Sequence, residues 1–286
     1  MSDALLDHAI EKLRIAKSSP APCKICGSET YPFDIVDFNK SCELSFYPMG
    51  LSGIPVLYRR CSKCEFIFTD FFDNFTGEQW RKYVYNDEYA KVDPEYLHIR
   101  PRHNARMIDA FLAPWKKSIV GLDYGGGNGA TKDLLRANGW AFDSFDPFAH
   151  NDMSPGRLER YNFCSAIEVF EHTTDPAGSL SAIMERVSPD RLIVMVSTLL
   201  NDKRVPNETR LSWWYAAPRN GHVSLYSSKS LMILGAAFGL SYTNVGTGPV
   251  LLTRGYTQNE VRNLLVRGKL LRRLRSTLHL WSGGLA

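Results

Sequence analysis

Apolar residues recur at helical spacing at the start of the chain. Leu6, Ile10 and Leu13 lie three or four residues apart, which places them on one face of an amphipathic helix predicted over residues 1–19. From residue 20 to 80 this pattern gives way to aromatic residues and strand-like runs such as IPVLYRR and FIFTDFF. This stretch is therefore predicted to form a small module with little core of its own.

From residue 81 to 255, short apolar runs alternate with helical patterns. SIVGLDYGGGNGATKDLLRANGW predicts a strand, a tight turn and a helix, and AFDSFDPF predicts a second strand. RLIVMVSTLL predicts a further strand, SSKSLMILGAAFG a helix, and LSYTNVG with PVLLTRG a closing hairpin. Strands that alternate with helices in this way indicate an α/β domain.

The last segment, 256–286, predicts a basic amphipathic helix. Its apolar residues share one face, and six Lys and Arg residues against Glu260 give it a charge of +5. Because the whole chain carries +4, the remainder is near −1, which argues against a nucleic-acid partner. Three alternatives stay open: contact with an anionic membrane surface, docking on a partner subunit, or packing on the domain with a solvated face.

The composition predicts a globular protein of the cytoplasm. Of the 286 residues, 44% are hydrophobic and 22% charged, and no apolar run approaches the roughly 18 residues of a membrane span. The N-terminus lacks the basic start and apolar core of a secretion signal. Cytoplasmic localisation is therefore expected, at the inner face of the membrane if the C-terminal helix binds lipid.

Four of the six cysteines form two matched pairs. Cys23-x-x-Cys26 and Cys61-x-x-Cys64 each place two thiolates on one side of a tight loop, as tetrahedral Zn²⁺ requires at about 2.3 Å per Zn–S bond. Together they predict a closed, structural zinc site that stabilises the small module. The missing secretion signal argues against a pair of disulfides, and a redox dithiol needs only one such pair.

The stretch LDYGGGNGAT matches two cofactor-binding patterns, the loose dinucleotide pattern G-x-G-x-x-A and D-x-G-x-G-x-G, which starts at Asp123. A carboxylate beside the turn repels a pyrophosphate but attracts the ammonium and sulfonium groups of S-adenosylmethionine. Asp146 follows Asp123 by 23 residues, at the end of the second strand, where a ribose-binding acid belongs. The expected cofactor is therefore S-adenosylmethionine, and a dehydrogenase is disfavoured.

The motifs LDYGGGNG, FDPF and SAIEVFEHTTDP, followed by RLIVMVSTLL, resemble the motif series of class I S-adenosylmethionine-dependent methyltransferases over about residues 100–254. This resemblance implies a Rossmann-like α/β sheet, mostly parallel with an antiparallel last strand, after the small N-terminal zinc-binding module. It assigns cofactor binding to Asp123, Tyr124, Gly125, Gly127, Asn128, Asp146, Pro147, Phe148, Glu168 and Val169. Only 22 residues separate Asp146 from Glu168, so the third strand of the family must be reduced here.

The N-terminal part is similar to a bacterial group that methylates sugars, including nucleotide-linked deoxysugars. That resemblance rests on the cysteine pairs and on the Tyr-rich stretch YVYNDEYAKVDPEYLHIRPRHNA. Tyr89 and Arg100 of this stretch are expected to contact the cofactor. Alternatively, its aromatic residues pack the junction between the zinc module and the main domain.

The connection NDKRVPNETRLSWWYAAPRNGHVSLYS is long for a compact domain and follows a strand end, where ligands bind in α/β folds. Its flat aromatic and polar side chains suit the faces and hydroxyl groups of a sugar. Trp213, Trp214, Tyr215 and Asn220 are therefore predicted to bind the substrate.

Methyl transfer to a hydroxyl group needs a base that removes the proton. The candidates are His222, in the long connection that carries Trp213 and Trp214, and His172, in the motif SAIEVFEHTTDP. Glu171 either orients a histidine or binds a sugar hydroxyl. For His172, a structural role that holds the loop in place is the alternative.

These features predict a methyltransferase that uses S-adenosylmethionine to methylate a carbohydrate, either a glycan or a nucleotide-linked sugar. The alternative is methylation of RNA or protein, with the zinc module as the recognition element. A binding module that has lost the cofactor is disfavoured because Asp123, the glycines and Asp146 are all present.

Overall fold

The structure, a computed structural model, describes residues 3–18, 21–43, 47–96, 98–149, 161–202, 204–205, 210–244 and 249–263. The helices of these residues are α1 (Asp3–Ser18), α2 (Gly77–Tyr83), α3 (Tyr89–Val92), α4 (Ile99–Leu112), α5 (Ala130–Ala137), α6 (Pro176–Met184) and α7 (Ser228–Ala237). The strands are β1 (Thr30–Asp37), β2 (Pro55–Cys61), β3 (Ile67–Phe68), β4 (Val120–Tyr124), β5 (Ala141–Phe145), β6 (Phe163–Ile167), β7 (Leu192–Ser197), β8 (Ser224–Leu225), β9 (Ser241–Asn244) and β10 (Val250–Arg254).

The chain divides into two compact units. The first comprises Met1–Tyr96, Glu168–Ala182 and Ser197–Tyr242, and the second comprises Leu97–Ile167, Ile183–Val196 and Thr243–Ala286. Two later stretches, Glu168–Ala182 and Ser197–Tyr242, thus join the N-terminal residues in the first unit. The segments 20–80 and 81–255 stay a prediction from the sequence.

The first unit contains a four-stranded sheet with the order β1-β2-β3-β8. β1 and β2 pair antiparallel, from Thr30 opposite Cys61 to Asp37 opposite Pro55. β3 has only two residues, and the equally short β8 pairs with it antiparallel, with Ile67 opposite Leu225. The sheet of the N-terminal residues is therefore completed by a strand from much later in the chain.

Helix α1 agrees with the predicted N-terminal helix, and its buried residues are offset by one position from the apolar row that begins at Leu6. Leu5 and Ala9 are buried, whereas Leu6 is 40% and Ile10 39% exposed. Between them, His8 donates from Nε2 to the carbonyl of Phe71 at 2.6 Å. Both rows of residues repeat at helical spacing, so the small Ala9 and this hydrogen bond, rather than hydrophobicity, select the buried face.

The second unit contains the larger sheet, with the strand order β5-β4-β6-β7-β10-β9. β4 pairs parallel with both β5 and β6, and β10 pairs antiparallel with β7. This confirms the predicted α/β fold with parallel strands and an antiparallel strand near the C-terminus. Residues of α4, including Ile108 and Leu112, share one apolar core with Leu135 of α5.

The predicted reduction of the third strand of the family falls mostly on residues outside the described part of the chain. Between β5 and β6 the described residues form only an isolated parallel bridge, Tyr161 opposite Val187. Residues 150–160 lie outside the described residues.

The predicted C-terminal helix falls mostly outside the description as well. Residues 258–263 are helical and Val261 is buried, while residues 264–286 are not described. Membrane contact or subunit docking through this segment therefore stays a prediction. In the described parts of the chain, no helix combines the length and apolar character that crossing a membrane requires.

Substitution of Gly121 is expected to destabilise the second unit. A Cβ atom at Gly121 would lie 2.0 Å from the ring of Phe142, its partner in the β4–β5 pair. Overpacking of this kind costs about 1–3 kcal/mol. Gly121→Ala should therefore lower the Tm in scanning calorimetry. Gly77→Ala is the control, because its nearest neighbour would be 3.8 Å away; equal Tm values for both variants would contradict the prediction.

Candidate functional site

β4 ends in a tight turn that leads directly into α5. Gly125, Gly127 and Gly129 have φ values of 75°, 55° and 79°, in the left-handed region that glycine adopts without strain. The N–H of Gly125 donates to the carbonyl of Phe145 at 2.7 Å, which joins the turn to β5. Asn128 lies within the turn, so the glycines and the amide that the sequence singled out share one loop.

Gly126 leaves no space for a side chain in this turn. A Cβ atom there would lie 2.3 Å from Ser144 Oγ and 2.7 Å from Asp123 Oδ2. The glycine therefore allows the carboxylate of Asp123 to lie directly against the turn backbone. Gly126 is the middle residue of the run of three glycines, but it was not among the cofactor-binding residues predicted from the sequence.

Asp123 is a buried acid at the end of β4. It is 5% exposed, and its Oδ1 accepts a hydrogen bond from Ser165 Oγ at 2.7 Å. Burial raises the pKa of Asp123 to about 6, with a further contribution from the charge of Asp146 and against the hydrogen bond from Ser165. Asp123 is therefore mostly ionised at pH 7, and a cation beside it would be stabilised.

Asp146 closes the same turn from the end of β5. Its Oδ2 accepts the N–H of Gly127 at 2.9 Å, and its Oδ1 accepts the N–H of Phe148 at 2.8 Å. The side chain of Phe148, which follows Pro147, is 76% exposed. Tyr124 is different, since its ring is buried and stacks on Phe145 with the centroids 5.6 Å apart.

The two residues predicted from the Tyr-rich stretch belong to different units. Arg100 is in the first turn of α4, in the second unit. Tyr89 is buried in the first unit, and its hydroxyl donates to the carbonyl of Asn220 at 3.4 Å. Cofactor contacts of Tyr89 and Arg100 therefore stay predictions.

A strained residue follows β6. Glu168 has a φ of 55°, a conformation that costs a non-glycine residue roughly 1–3 kcal/mol. Its N–H donates to the carbonyl of Ser197 at 2.9 Å. Val169 comes next and precedes a short 3₁₀ turn, Phe170–His172. Strain of this kind is concentrated at functional sites, which agrees with the choice of Glu168 and Val169 as candidate cofactor-binding residues.

Glu171 of the 3₁₀ turn is completely buried in the first unit. Its Oε1 accepts the hydroxyl hydrogen of Tyr215, and its Oε2 has no hydrogen-bond partner among the described residues. Burial raises the pKa of Glu171 well above its usual range, and the charge of Glu168 raises it further. We therefore expect Glu171 to keep its proton at neutral pH.

His172 and His222 lie side by side, with ring centroids 4.9 Å apart. His222 is buried, and its Nδ1 lies 2.8 Å from the carbonyl of Tyr215, so Nδ1 carries the hydrogen and Nε2 is the acceptor. His172 is only half-buried, and its Nδ1 lies 3.4 Å from the hydroxyl of Tyr85. Donor atoms of His172, His222 and Glu171 all lie within 4.8 Å of one another. The structure thus brings the three predicted catalytic residues together.

The predicted substrate-binding residues are mostly inside the first unit. Trp213 and Tyr215 belong to its apolar core, and only Trp214 is substantially exposed, at 41%. Asn220 is 4% exposed; its Nδ2 donates to the carbonyl of Val92, and its Oδ1 accepts the N–H of Cys42. In this structure Asn220 therefore connects backbone segments, and Trp214 alone offers a flat exposed surface.

The two cysteine pairs converge in the first unit. Cys23 and Cys64 have their Sγ atoms 3.5 Å apart, as do Cys26 and Cys61, and all four lie within 4.8 Å of one another. Four thiolates around a tetrahedral ion with bonds of about 2.3 Å would be separated by just under 4 Å. The cluster is therefore compatible with zinc.

The part of the chain that contains the turn after β4 matches the model of a known protein family. The model of a family described as a methyltransferase domain matches residues 96–245, just over half of the chain. The chain belongs to this methyltransferase family. Together with the turn at Asp123, this makes the protein an S-adenosylmethionine-dependent methyltransferase.

Solved structures resemble the methyltransferase at low sequence identity. The plantazolicin methyltransferase BpumL, in complex with a monoazolic desmethylPZN analogue and S-adenosylhomocysteine, is 17% identical, with 69% of this chain and 88% of that chain covered and a TM-score of 0.44. Human N-acetylserotonin methyltransferase is 16% identical, with 66% and 62% covered and a TM-score of 0.43. 1,6-Didemethyltoxoflavin-N1-methyltransferase of Burkholderia thailandensis is 13% identical, with 56% and 80% covered and a TM-score of 0.38. A search of curated proteins found no match.

The protonated state of Glu171 has a measurable consequence for the methyltransferase. Because the folded protein holds a proton that the unfolded chain releases above its ordinary pKa, stability should fall as the pH rises from 5 to 8, by at most about 1.4 kcal/mol per pH unit. Glu171→Gln keeps an acceptor for Tyr215 without the ionisable group, so its stability should fall less.

Urea denaturation at pH 5, 6.5 and 8 measures this difference. Glu78→Gln, which removes an exposed acid of α2, should have the same pH profile as the unmodified protein. Parallel profiles for Glu171→Gln and the unmodified protein would show that Glu171 is ionised in the folded state.

Proposed function

We propose that the methyltransferase transfers a methyl group to a hydroxyl group of a carbohydrate, with His172 as the general base. The observation that carries this proposal is the position of His172. It is the half-buried member of a cluster whose other two members, Glu171 and His222, are buried. A base must reach both solvent and acceptor, and this favours His172 over His222.

The turn after β4 fits S-adenosylmethionine on the grounds of its charge and shape. Asp123 would hold the ammonium group, the backbone at Gly125 and Gly127 would lie against the ligand, and Asp146 would bind the ribose hydroxyls. No Cβ atom obstructs the turn at Gly127, where nothing lies within 4 Å of the position such an atom would occupy. When bound, the cofactor supplies a methyl group made electrophilic by the adjacent sulfonium.

Methyl transfer to a hydroxyl group would require the acceptor to lose its proton, and His172 would take that proton. Tyr215 binds both neighbours of His172. Its hydroxyl donates to Glu171, and its carbonyl accepts a hydrogen bond from His222. These neighbours support the role of His172 because they restrict its orientation.

A carbohydrate acceptor is supported by the connection after β7. The indole ring of Trp214 is an exposed flat surface of the kind that stacks on the C–H face of a sugar ring. The hydroxyl of Tyr85, near His172, adds a polar group that can donate to a sugar oxygen.

The test is transfer of a labelled methyl group from S-adenosylmethionine to UDP-glucose, glucose 1-phosphate, glucuronate, free monosaccharides and oligosaccharides. His172→Gln should lower the rate by about 10²–10⁴-fold and leave the affinity for S-adenosylhomocysteine unchanged in calorimetry. His103→Gln, which changes an exposed histidine of α4, should retain full activity. Efficient transfer to RNA or protein but to no carbohydrate would overturn the acceptor class, and full activity of His172→Gln would overturn the base.

We also propose that the four-cysteine cluster binds one structural zinc ion. The support is its donor set, since four sulfur ligands leave no position for water and are preferred by zinc. Cys61 ends β2, and Ser227 Oγ donates to the carbonyl of Cys64 at 2.6 Å. The ion would therefore fix the loop after β2, whose Cys64 carbonyl accepts the hydrogen bond from Ser227.

Elemental analysis of the purified protein should find one zinc per chain. Cys64→Ser should lose the metal and lower the Tm, because the cluster lies in the first unit. Cys42→Ser, at a cysteine outside the cluster, should keep its zinc. A metal-free protein with an unchanged Tm would contradict a structural role.

A further inference from the structure

The first unit contains a cavity of about 500 Å³. Its lining residues do not include Glu171, His172 or His222. Its wall is formed by α2, α3 and the loops after β1, with residues of the connection after β7. Phe38, Met49 and Tyr83 supply an apolar side. The volume is within the range of small-molecule sites, about 300–1,000 Å³.

Positive charge dominates the polar side of this cavity. Lys82, Lys91 and Arg219 line it, and Glu88 is the acid among the lining residues that the structure describes. Lys91 forms an exposed ion pair with Glu88 at 2.9 Å, which leaves the charges of Lys82 and Arg219 in excess. An excess of two positive charges on one small concave surface favours an anion.

Arg219 is the decisive residue because its side chain is 1% exposed. Its guanidinium donates to the carbonyl of Val84 and to Asn86 Oδ1, and within the described residues it forms no ion pair with a carboxylate. Loss of solvation lowers the pKa of Arg219. The charge of Glu88 opposes this shift in part, but Glu88 is already paired with Lys91. An anion in the cavity would therefore further offset the cost of burying the Arg219 cation.

Asn39 adds a second unsatisfied group. It lines the cavity and is 4% exposed, and its Nδ2 donates to the carbonyl of Gly50. Its Oδ1 is buried and has no hydrogen-bond partner among the described residues. A buried amide oxygen requires a donor, and a ligand hydroxyl group is one.

We propose that this cavity binds an anionic sugar, whose phosphate or carboxylate group is held by Lys82, Lys91 and Arg219 and whose hydroxyl groups reach Asn39. The cations select the charged group, the amide oxygen selects a hydroxyl donor, and the apolar side accepts the C–H face of the ring. As an assignment of the methyl acceptor, this inference rests on the proposed function, which it narrows from carbohydrates in general to those that carry negative charge.

The first experiment is calorimetric titration of the full-length protein, loaded with S-adenosylhomocysteine, with four probes: glucose 1-phosphate, glucuronate, UDP-glucose and D-glucose. Glucose 1-phosphate or glucuronate should bind, and the comparison of the two identifies phosphate or carboxylate as the recognised group. D-Glucose should not bind measurably. Affinity should fall as sodium chloride is added, because the lysines are exposed. Equal affinity for D-glucose and the anionic probes would overturn the proposal.

Variants at exposed positions test the site without risk to the fold. Lys82→Gln combined with Lys91→Gln should weaken binding of the anionic probe about tenfold. Glu88→Gln should strengthen it about two- to fivefold, because it removes the negative charge from the cavity. A gain in affinity cannot result from misfolding. Lys229→Gln, which removes an exposed lysine of α7 in the same unit, is the matched control and should change nothing. Unchanged affinity in the lysine double variant would overturn the site.

Binding and methyl transfer separate this inference from the proposed function. Charge-dependent binding of glucose 1-phosphate without methyl transfer to any carbohydrate would sustain the cavity as an anion site and overturn the proposed acceptor. Methyl transfer to a neutral sugar, with the same KM in the lysine double variant, would sustain the proposed function and overturn the cavity as its acceptor site.

Discussion

The first unit depends on hydrogen bonds between buried N-terminal side chains and the backbone of residues 211–227. Lys40 donates from Nζ to the carbonyl of Trp213 at 2.8 Å, and Tyr58 donates to the carbonyl of His222 at 2.6 Å. In the opposite direction, the side chain of Asn220 donates from Nδ2 to the carbonyl of Val92. Each of these groups would be left unsatisfied in a buried position if the segment moved away. The N-terminal residues and this segment therefore form one structure although a large part of the sequence separates them.

The cost of burying polar groups explains why this arrangement is specific. Burial lowers the pKa of Lys40 to about 8, and its Nζ donates to the carbonyl groups of Leu211 and Trp213. Apolar residues would tolerate a shift of the segment by a few tenths of an ångström, whereas directional hydrogen bonds to buried groups do not. The position of His222 beside His172 follows from this constraint, because the carbonyl of His222 is itself one of the acceptors. The same interactions that complete the unit thus position His222 beside the candidate base, His172.

The sequence was sufficient for those features that depend on local pattern. The strand, turn and helix around Asp123 and the convergence of four cysteines follow from spacing and turn chemistry, and the antiparallel β10 was implied by the family resemblance. The structure contains all three. The pairing of β3 with β8 could not be predicted, because strands of two residues carry no periodic signal. Tyr215 illustrates the other limit, since an aromatic residue in a long connection has the same appearance whether it faces a ligand or, as here, donates to a buried acid.

Arg219 and Asn39 were not accessible to sequence analysis for a related reason. Among the described residues, Arg219 forms no ion pair with a carboxylate, and the Oδ1 atom of Asn39 accepts no hydrogen bond. A missing partner becomes visible only when the three-dimensional neighbours are known. Glu168 itself was predicted from its motif, but its left-handed backbone was not, because the residue type gives no sign of it.

The chemistry of the turn after β4 follows from the reciprocity between charge and ionisation. Asp123 already has a pKa of about 6, because burial opposes its negative charge. A pyrophosphate against the same turn would raise this pKa further, so such a ligand would bind only by forcing a proton onto the carboxyl or by accepting repulsion. An ammonium group would lower the pKa, and by thermodynamic linkage ionised Asp123 would bind that ligand more tightly by the same factor. A cationic cofactor would therefore offset part of the free-energy cost of burying the ionised carboxylate of Asp123.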